Sequence, residues 1–182
     1  MIKPAILFCA AVLLSACGFH LRNALVLPTD LGPVRVVSPD PYSPLASQLE
    51  RALEGVGAQV APAPPAGTAL TDAPPVATLG IVQERWGDLP IAVDAEGRAQ
   101  EYTLRYAVIF NLKNADGSVV VPDQSIELGR DYVVPPTDSL GSASEREMLT
   151  REMRRDMVAT VLRRIDAVVK SDTPTSHSQQ SP

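Results

Sequence analysis

From Tyr102 to Lys113 the sequence alternates without a break: Tyr102, Leu104, Tyr106, Val108, Phe110 and Leu112 fall on one side, Thr103, Arg105, Ala107, Ile109, Asn111 and Lys113 on the other. Successive strand side chains point to opposite faces, so this segment reads as a long strand with one wholly apolar face. Such a face must be covered, which requires a second layer. The chain has 182 residues, 45% hydrophobic and 20% charged. That is enough for one domain of ordinary size with appendages, and too apolar for disorder throughout.

The flanking segments supply the rest. Val34–Ser38 (VRVVS), between Pro33 and Pro39, reads as a first strand. Ser43 is a helix cap and Pro44 suits the first helical position, where its missing N–H is not needed. Leu45, Leu49 and Leu53 follow at every fourth residue, and Gly55 and Gly57 end the helix. Its polar side (Ser47, Gln48, Glu50, Arg51, Glu54) is not basic, so the stripe is a sheet-packing face rather than a membrane-surface one.

Ala61–Ala77, with five prolines, reads as an extended linker. A second strand is predicted from Val76 to Arg85, with Leu79, Ile81 and Gln83 on one face and Gly80, Val82 and Glu84 on the other, followed by a loop over Trp86–Ala99. Asp116-Gly117 signals a hairpin into a strand over Val119–Val133, in which Pro122 marks an edge or bulge. Ser144-Glu145-Arg146-Glu147 has the form of a capping box opening a long helix that carries Leu149, Met153, Met157, Val161, Ile165 and Val168. The expected fold is a two-layer α+β sandwich, with two helices packed on one face of a four-stranded mixed or antiparallel sheet. Residues 171–182, polar and without apolar periodicity, are expected to be a disordered tail.

The start of the chain has a different character. Met1-Ile2-Lys3 is a short basic opening, and Ala5–Leu14 is an apolar run of the length of a secretory signal, too short for a membrane span. It ends in Leu14-Ser15-Ala16-Cys17, which resembles the lipobox of bacterial lipoproteins, where a Cys is acylated and the signal removed before it. The expected organisation is a signal peptide over 1–16, a single domain over 17–170 and the tail. Cleavage would take Lys3 and Cys9 away and move the formal charge from -5 to -6. Cys17 would become a thioether, leaving no thiol for a disulfide, a metal or a nucleophile. More than one acyl chain is needed for stable anchoring, and the lipoprotein modification supplies it.

Little in the sequence carries chemistry. His20 and His177 are far apart and without Cys partners, and no phosphate loop, nucleophile elbow or HExxH is present. Acid pairs such as Asp94 with Glu96 read as solvated surface, and no enzyme, metal or cofactor is expected beyond the lipid on Cys17. With 4% aromatics and a net negative charge, nucleic acid is a poor partner. Arg is the suggestive type, thirteen residues in all. Its fork pairs bidentately with phosphate and carboxylate, and Arg85, Arg98 and Arg105 are candidates for such contacts. The plainer reading is that they are solvated or paired with Glu84, Glu96 and Glu101.

Several segments together resemble one family, the lipopolysaccharide-assembly lipoproteins LptE (RlpB). They are Cys17-Gly18-Phe19-His20-Leu21-Arg22 with Leu27-Pro28, Leu53-Glu54-Gly55-Val56, Gly97 with Glu101-Tyr102, Arg130-Asp131-Tyr132 and Leu162-Arg163-Arg164-Ile165. The resemblance implies a lipid-anchored, non-enzymatic protein on the periplasmic side of the outer membrane. It would plug the β-barrel LptD, assist its assembly and help deliver lipopolysaccharide to the outer leaflet, with Arg85, Arg98 and Arg105 as glycolipid contacts. The alternative is a free periplasmic-face ligand-binding or chaperone lipoprotein with no barrel partner.

Overall fold

The computed structural model describes residues 31–62, 74–135 and 139–172. The signal over 1–16, Cys17, both histidines and residues 173–182 of the tail lie outside them. The element order is β1 (Val34–Val37), α1 (Pro44–Gly55), β2 (Ala77–Val93), β3 (Ala99–Lys113), β4 (Val119–Val133) and α2 (Ser139–Asp172). The strands form one sheet in the order β1-β2-β3-β4, with β1 parallel to β2 and the other pairs antiparallel. Both helices cover one face, so the expected two-layer sandwich and its mixed sheet are what form.

The apolar stripes meet as predicted. Leu45, Leu49 and Leu53 of α1 and Met153, Met157, Val161 and Ile165 of α2 are buried in one cluster with Leu79, Leu104, Val108, Phe110 and Leu112 of the sheet. Each such side chain contributes roughly 1.5–3 kcal/mol by leaving water. The Ser43 cap is confirmed: its Oγ accepts the Ala46 N–H at 3.2 Å. The two antiparallel hairpins share one turn geometry, with Gly97 (φ 78°) and Gly117 (φ 85°) at equivalent left-handed positions that favour a residue without Cβ. Pro122 lies in the edge strand β4, where the register with β3 shifts between Phe110 and Leu112, so the bulge expected there is present.

Three expectations need correction. Trp86–Ala99 is not a loop: β2 continues to Val93, and only Asp94–Arg98 turn. Pro90 is tolerated because β1 pairs with β2 only over Ala77–Gly80, so among the described residues no strand on the other side of β2 needs its N–H. The face assignment of β2 also fails beyond Ile81. The register slips between Ile81 and Gln83, and from there Glu84, rather than Gln83, faces the helices. Finally, α2 begins at Ser139, so Ser144 and Glu147 lie inside the helix and form no capping box; Glu147 instead pairs with Arg151 at 2.5 Å, one turn on. The helix also runs to Asp172, two residues past the expected end of the domain.

One buried charge was not foreseen. Arg35 of β1 is 6% exposed and points away from the helices. Its guanidinium donates to the carbonyls of Pro62 (3.2 Å) and Pro74 (3.4 and 3.5 Å), the residues on either side of segment 63–73. A single Arg thus holds both ends of the proline-rich connection against β1.

Candidate functional site

Beyond Gly80 the β2–β3 hairpin runs past the end of β1, and its two faces differ. On the helix side the bulge at Val82 brings Glu84, Trp86 and Asp88 onto the face shared with Tyr102, Leu104 and Tyr106. Trp86 stacks on Tyr106 with centroids 3.8 Å apart and planes 9° from parallel, and Arg154 of α2 lies over its other face at 5.6 Å. Such stacking and cation–π contacts add to burial by about 1 kcal/mol each. Glu84 accepts from the Tyr106 hydroxyl at 2.8 Å and from Ser43 at 3.1 Å, which ties the α1 cap to the sheet. Burial, and then the Glu84 carboxylate, push the Tyr106 phenol far up in pKa, so it stays a donor. Arg154 Nε is buried with no hydrogen-bond partner among the described residues.

Farther out, Asp88 receives both Arg146 (3.0 and 2.9 Å) and the Tyr132 hydroxyl (3.0 Å). The Arg146 hydrogen bond holds the Asp88 carboxyl below the ordinary carboxylate range, against its partial burial. Asp94 is lowered as well, first by the Arg98 backbone N–H. Carboxyls held in the ionised form by donors, as those of Asp88 and Asp94 are, are poor proton carriers. Sequence reasoning missed the cluster because its partners come from three strands and a helix. Its available signal was the chain's one Trp, in an alternation that continues past Arg85.

The three candidate arginines do not converge. Arg85 and Arg105 are exposed on the sheet face turned away from the helices, diagonal neighbours on β2 and β3, since Arg85 faces Ala107 and Arg105 faces Gly87. Arg98 sits in the turn at the hairpin tip, seven residues or about 23 Å along the strand from Arg105. Arg98 is bound by Asp94 (2.8 Å) and Glu96 (3.4 Å), so the pairing expected with Glu96 occurs. Arg105 pairs with Glu127 on β4 rather than with Glu101. Glu84 is occupied by Tyr106 and Ser43, and among the described residues Arg85 has no ion-pair partner. Thr103 with Asp131 (2.6 Å) and Asn111 with Asp123 (2.7 Å) complete a polar ladder across β3 and β4. Among the described residues no group of three or more His, Cys, Asp or Glu is placed to hold a metal, and no helix is long and apolar enough to cross a membrane.

Comparison with known proteins bears on this arrangement. A family model, LptE, described as lipopolysaccharide-assembly, matches residues 31–165, from the first described core residue to the last buried residue of α2. The chain is similar to the LPS-assembly lipoprotein LptE of Photorhabdus laumondii, 26% identical over 177 residues that cover 93% of this chain and 88% of that one. It is similar to the lipoprotein of the same name from Yersinia pestis, 26% identical over 163 residues, 85% of this chain and 71% of that one. Among solved structures, lipoprotein B of Nitrosomonas europaea superposes with a TM-score of 0.66 at 26% identity, over 90% of this chain and 99% of that one. The rare lipoprotein B of Shewanella oneidensis shares the fold, with a TM-score of 0.54 at 23% identity over 77% and 92% of the two chains. With the family model spanning all four strands, α1 and most of α2, the chain belongs to the lipopolysaccharide-assembly family LptE.

Proposed function

We propose that this protein is a non-enzymatic lipoprotein, anchored through acylated Cys17 to the periplasmic side of the outer membrane. There it plugs the lumen of the β-barrel LptD, assists its assembly and helps deliver lipopolysaccharide. The observation that carries the reading is the family match over the entire two-layer body. The dimensions agree with it: β3 has fifteen residues, about 50 Å of strand, roughly twice the ~25 Å apolar band of an outer-membrane barrel. A body of that length standing along the barrel axis spans the lumen. Its open sheet face is laced with polar pairs, as a surface inside a polar barrel requires. No catalytic group, metal or cofactor other than the Cys17 lipid enters the reading.

Direct glycolipid contact at Arg85, Arg98 and Arg105 has weaker support. A lipid phosphate would have to displace Asp94 and Glu96 from Arg98 and Glu127 from Arg105. Exposed pairs of this kind are worth at most about 1 kcal/mol, so a phosphate can displace them, but the separation of Arg98 from Arg85 and Arg105 keeps the three from gripping one phosphate together. The test is co-purification from detergent-solubilised outer membranes. A heat-modifiable barrel retained in equal amount is the expected result, and a lone monomer favours the free ligand-binding or chaperone lipoprotein instead.

A further inference from the structure

Past Gly80 the far side of β2 has no neighbour among the described residues. β1 ends its pairing at Gly80, and no described residue pairs with that edge from Ile81 to Val93. An unpaired edge is a template for another strand, and proteins blunt such edges with prolines and bulges. Here those devices stand at the two ends only, the bulge at Val82 and the irregularity around Pro90–Ala92. Between them Gln83–Leu89 is a clean seven-residue run, the length of an ordinary strand, without Pro or Lys. Its side chains on the open face are Gln83, Arg85, Gly87 and Leu89. Across β3 and β4, Thr103, Arg105 and Asn111 each meet an acidic partner on the adjacent strand. Among the described residues Arg85 has none, and no described strand lies on its other side.

We infer that the β2 edge from Gln83 to Leu89 takes up an extended strand of a partner polypeptide, with a carboxylate side chain beside Arg85. Main-chain bonds would supply the affinity and the Arg85 pair the register. A second copy of this chain fits less well. Residues opposite each other in an antiparallel pair share a face, and the open face of this run contains no carboxylate, so no β2–β2 register gives Arg85 a partner. β4 of another copy does present Asp123, Glu127 and Asp131, but each is already engaged, and repeated β2–β4 pairing would not close. The diagonal neighbour Arg105 is already paired with Glu127, and a guanidinium acting alone is a weak phosphate grip, which favours a carboxylate partner over glycolipid.

The inference rests on the plug reading for the existence of a protein partner, and the experiment separates the two. In the barrel complex isolated from outer membranes, a photo-crosslinking residue is placed at Gln83, Arg85 or Gly87, with Ser125 on β4 as control. The expected result is crosslinks from the three β2 positions to residues two apart within one partner segment, with an Asp or Glu facing position 85, and none from Ser125. Arg85→Glu should weaken retention of the barrel about five-fold, and reversing the facing acid to Arg should restore it. A stoichiometric complex whose β2 positions crosslink nowhere, without register, to glycolipid or to a second copy overturns the inference and leaves the plug reading standing. If wild-type protein retains no barrel, the plug reading falls and the inference with it.

Discussion

Arg35 shows how one side chain can replace a secondary-structure element. It holds Pro62 and Pro74 to β1 by three hydrogen bonds, and among the described residues no carboxylate neutralises it. Replacing it with Met keeps the volume and leaves two carbonyls without donors. Each unsatisfied group costs about 1–3 kcal/mol, so Arg35→Met is expected to lower unfolding free energy by about 2–4 kcal/mol. Urea denaturation checks this as a lower midpoint at unchanged slope, and a midpoint equal to wild type would show that the clasp is not structural. Asp88 makes a different prediction because its effect depends on pH. Its folded pKa is depressed by Arg146, so its contribution is present above the unfolded value near 3.9 and is lost as pH falls through the folded value. Asp88→Asn should therefore be less stable than wild type at pH 7, with the gap closing below about pH 4. Paired thermal melts at pH 7 and pH 3 measure it; a gap independent of pH would mean that the carboxylate's charge is not what matters.

At the scale of elements, β2 decides how the helix face is furnished. The extra residue at Val82 shifts its alternation, so Ala77, Leu79 and Ile81 face the helices before it and Glu84, Trp86 and Asp88 after it. Deleting Val82 should return the outer half to its original phase, turning Trp86 off Tyr106 and Asp88 off Arg146. The expected outcome is loss of the Trp86 near-ultraviolet circular dichroism band and a lower melting temperature, with β3–β4 pairing retained in amide exchange. A Trp86 signal unchanged by the deletion would mean that the bulge does not set the phase. The same bulge explains why β2 was the element least legible in the sequence. α1, β3 and β4 were readable because each carries a complete local signal: the Ser43-Pro44 start with Leu every fourth residue, an unbroken alternation, and a Gly turn between strands. In β2, Gly87, Asp88 and Pro90 have the composition of a loop, and they are tolerated because no described strand pairs with the edge beside them, a fact of topology that no local pattern contains. The start of α2 was misplaced for a related reason. Ser144 and Glu147 have the spacing of a cap, but the i,i+4 pair between Glu147 and Arg151 uses the same glutamate within a continuing helix. The separation of Arg85, Arg98 and Arg105 depends on the sheet register, and Glu127, the partner of Arg105, lies twenty-two residues away in sequence.

For the molecule as a whole, the sheet has a direction. Leu31, the start of β1 and the start of β2 lie at one end, together with the Asn114–Ser118 turn, and the Asp94–Arg98 turn lies at the other. Thirteen residues separate Cys17 from Leu31, a span of at most about 45 Å when extended. A lipid on Cys17 would therefore moor the molecule from the end where β1 begins and leave the Asp94–Arg98 tip free to point away from the anchor. In the proposed reading mooring would contribute through effective concentration: it would confine the body near the barrel without adding a contact, and such confinement is worth 10²- to 10⁴-fold in apparent affinity. Exchanging residues 1–17 for a cleavable signal without a Cys should then give a folded periplasmic protein with the melting temperature of the lipid-free domain. That protein should leave the membrane fraction in cells depleted of the barrel, and at native expression it should recover much less barrel on co-purification. Overexpression should restore recovery, since concentration is all that was lost. Persistent membrane attachment without lipid or barrel would place the anchor in the protein surface instead, and a deficit that overexpression cannot repair would mean that the lipid itself makes contact within the complex.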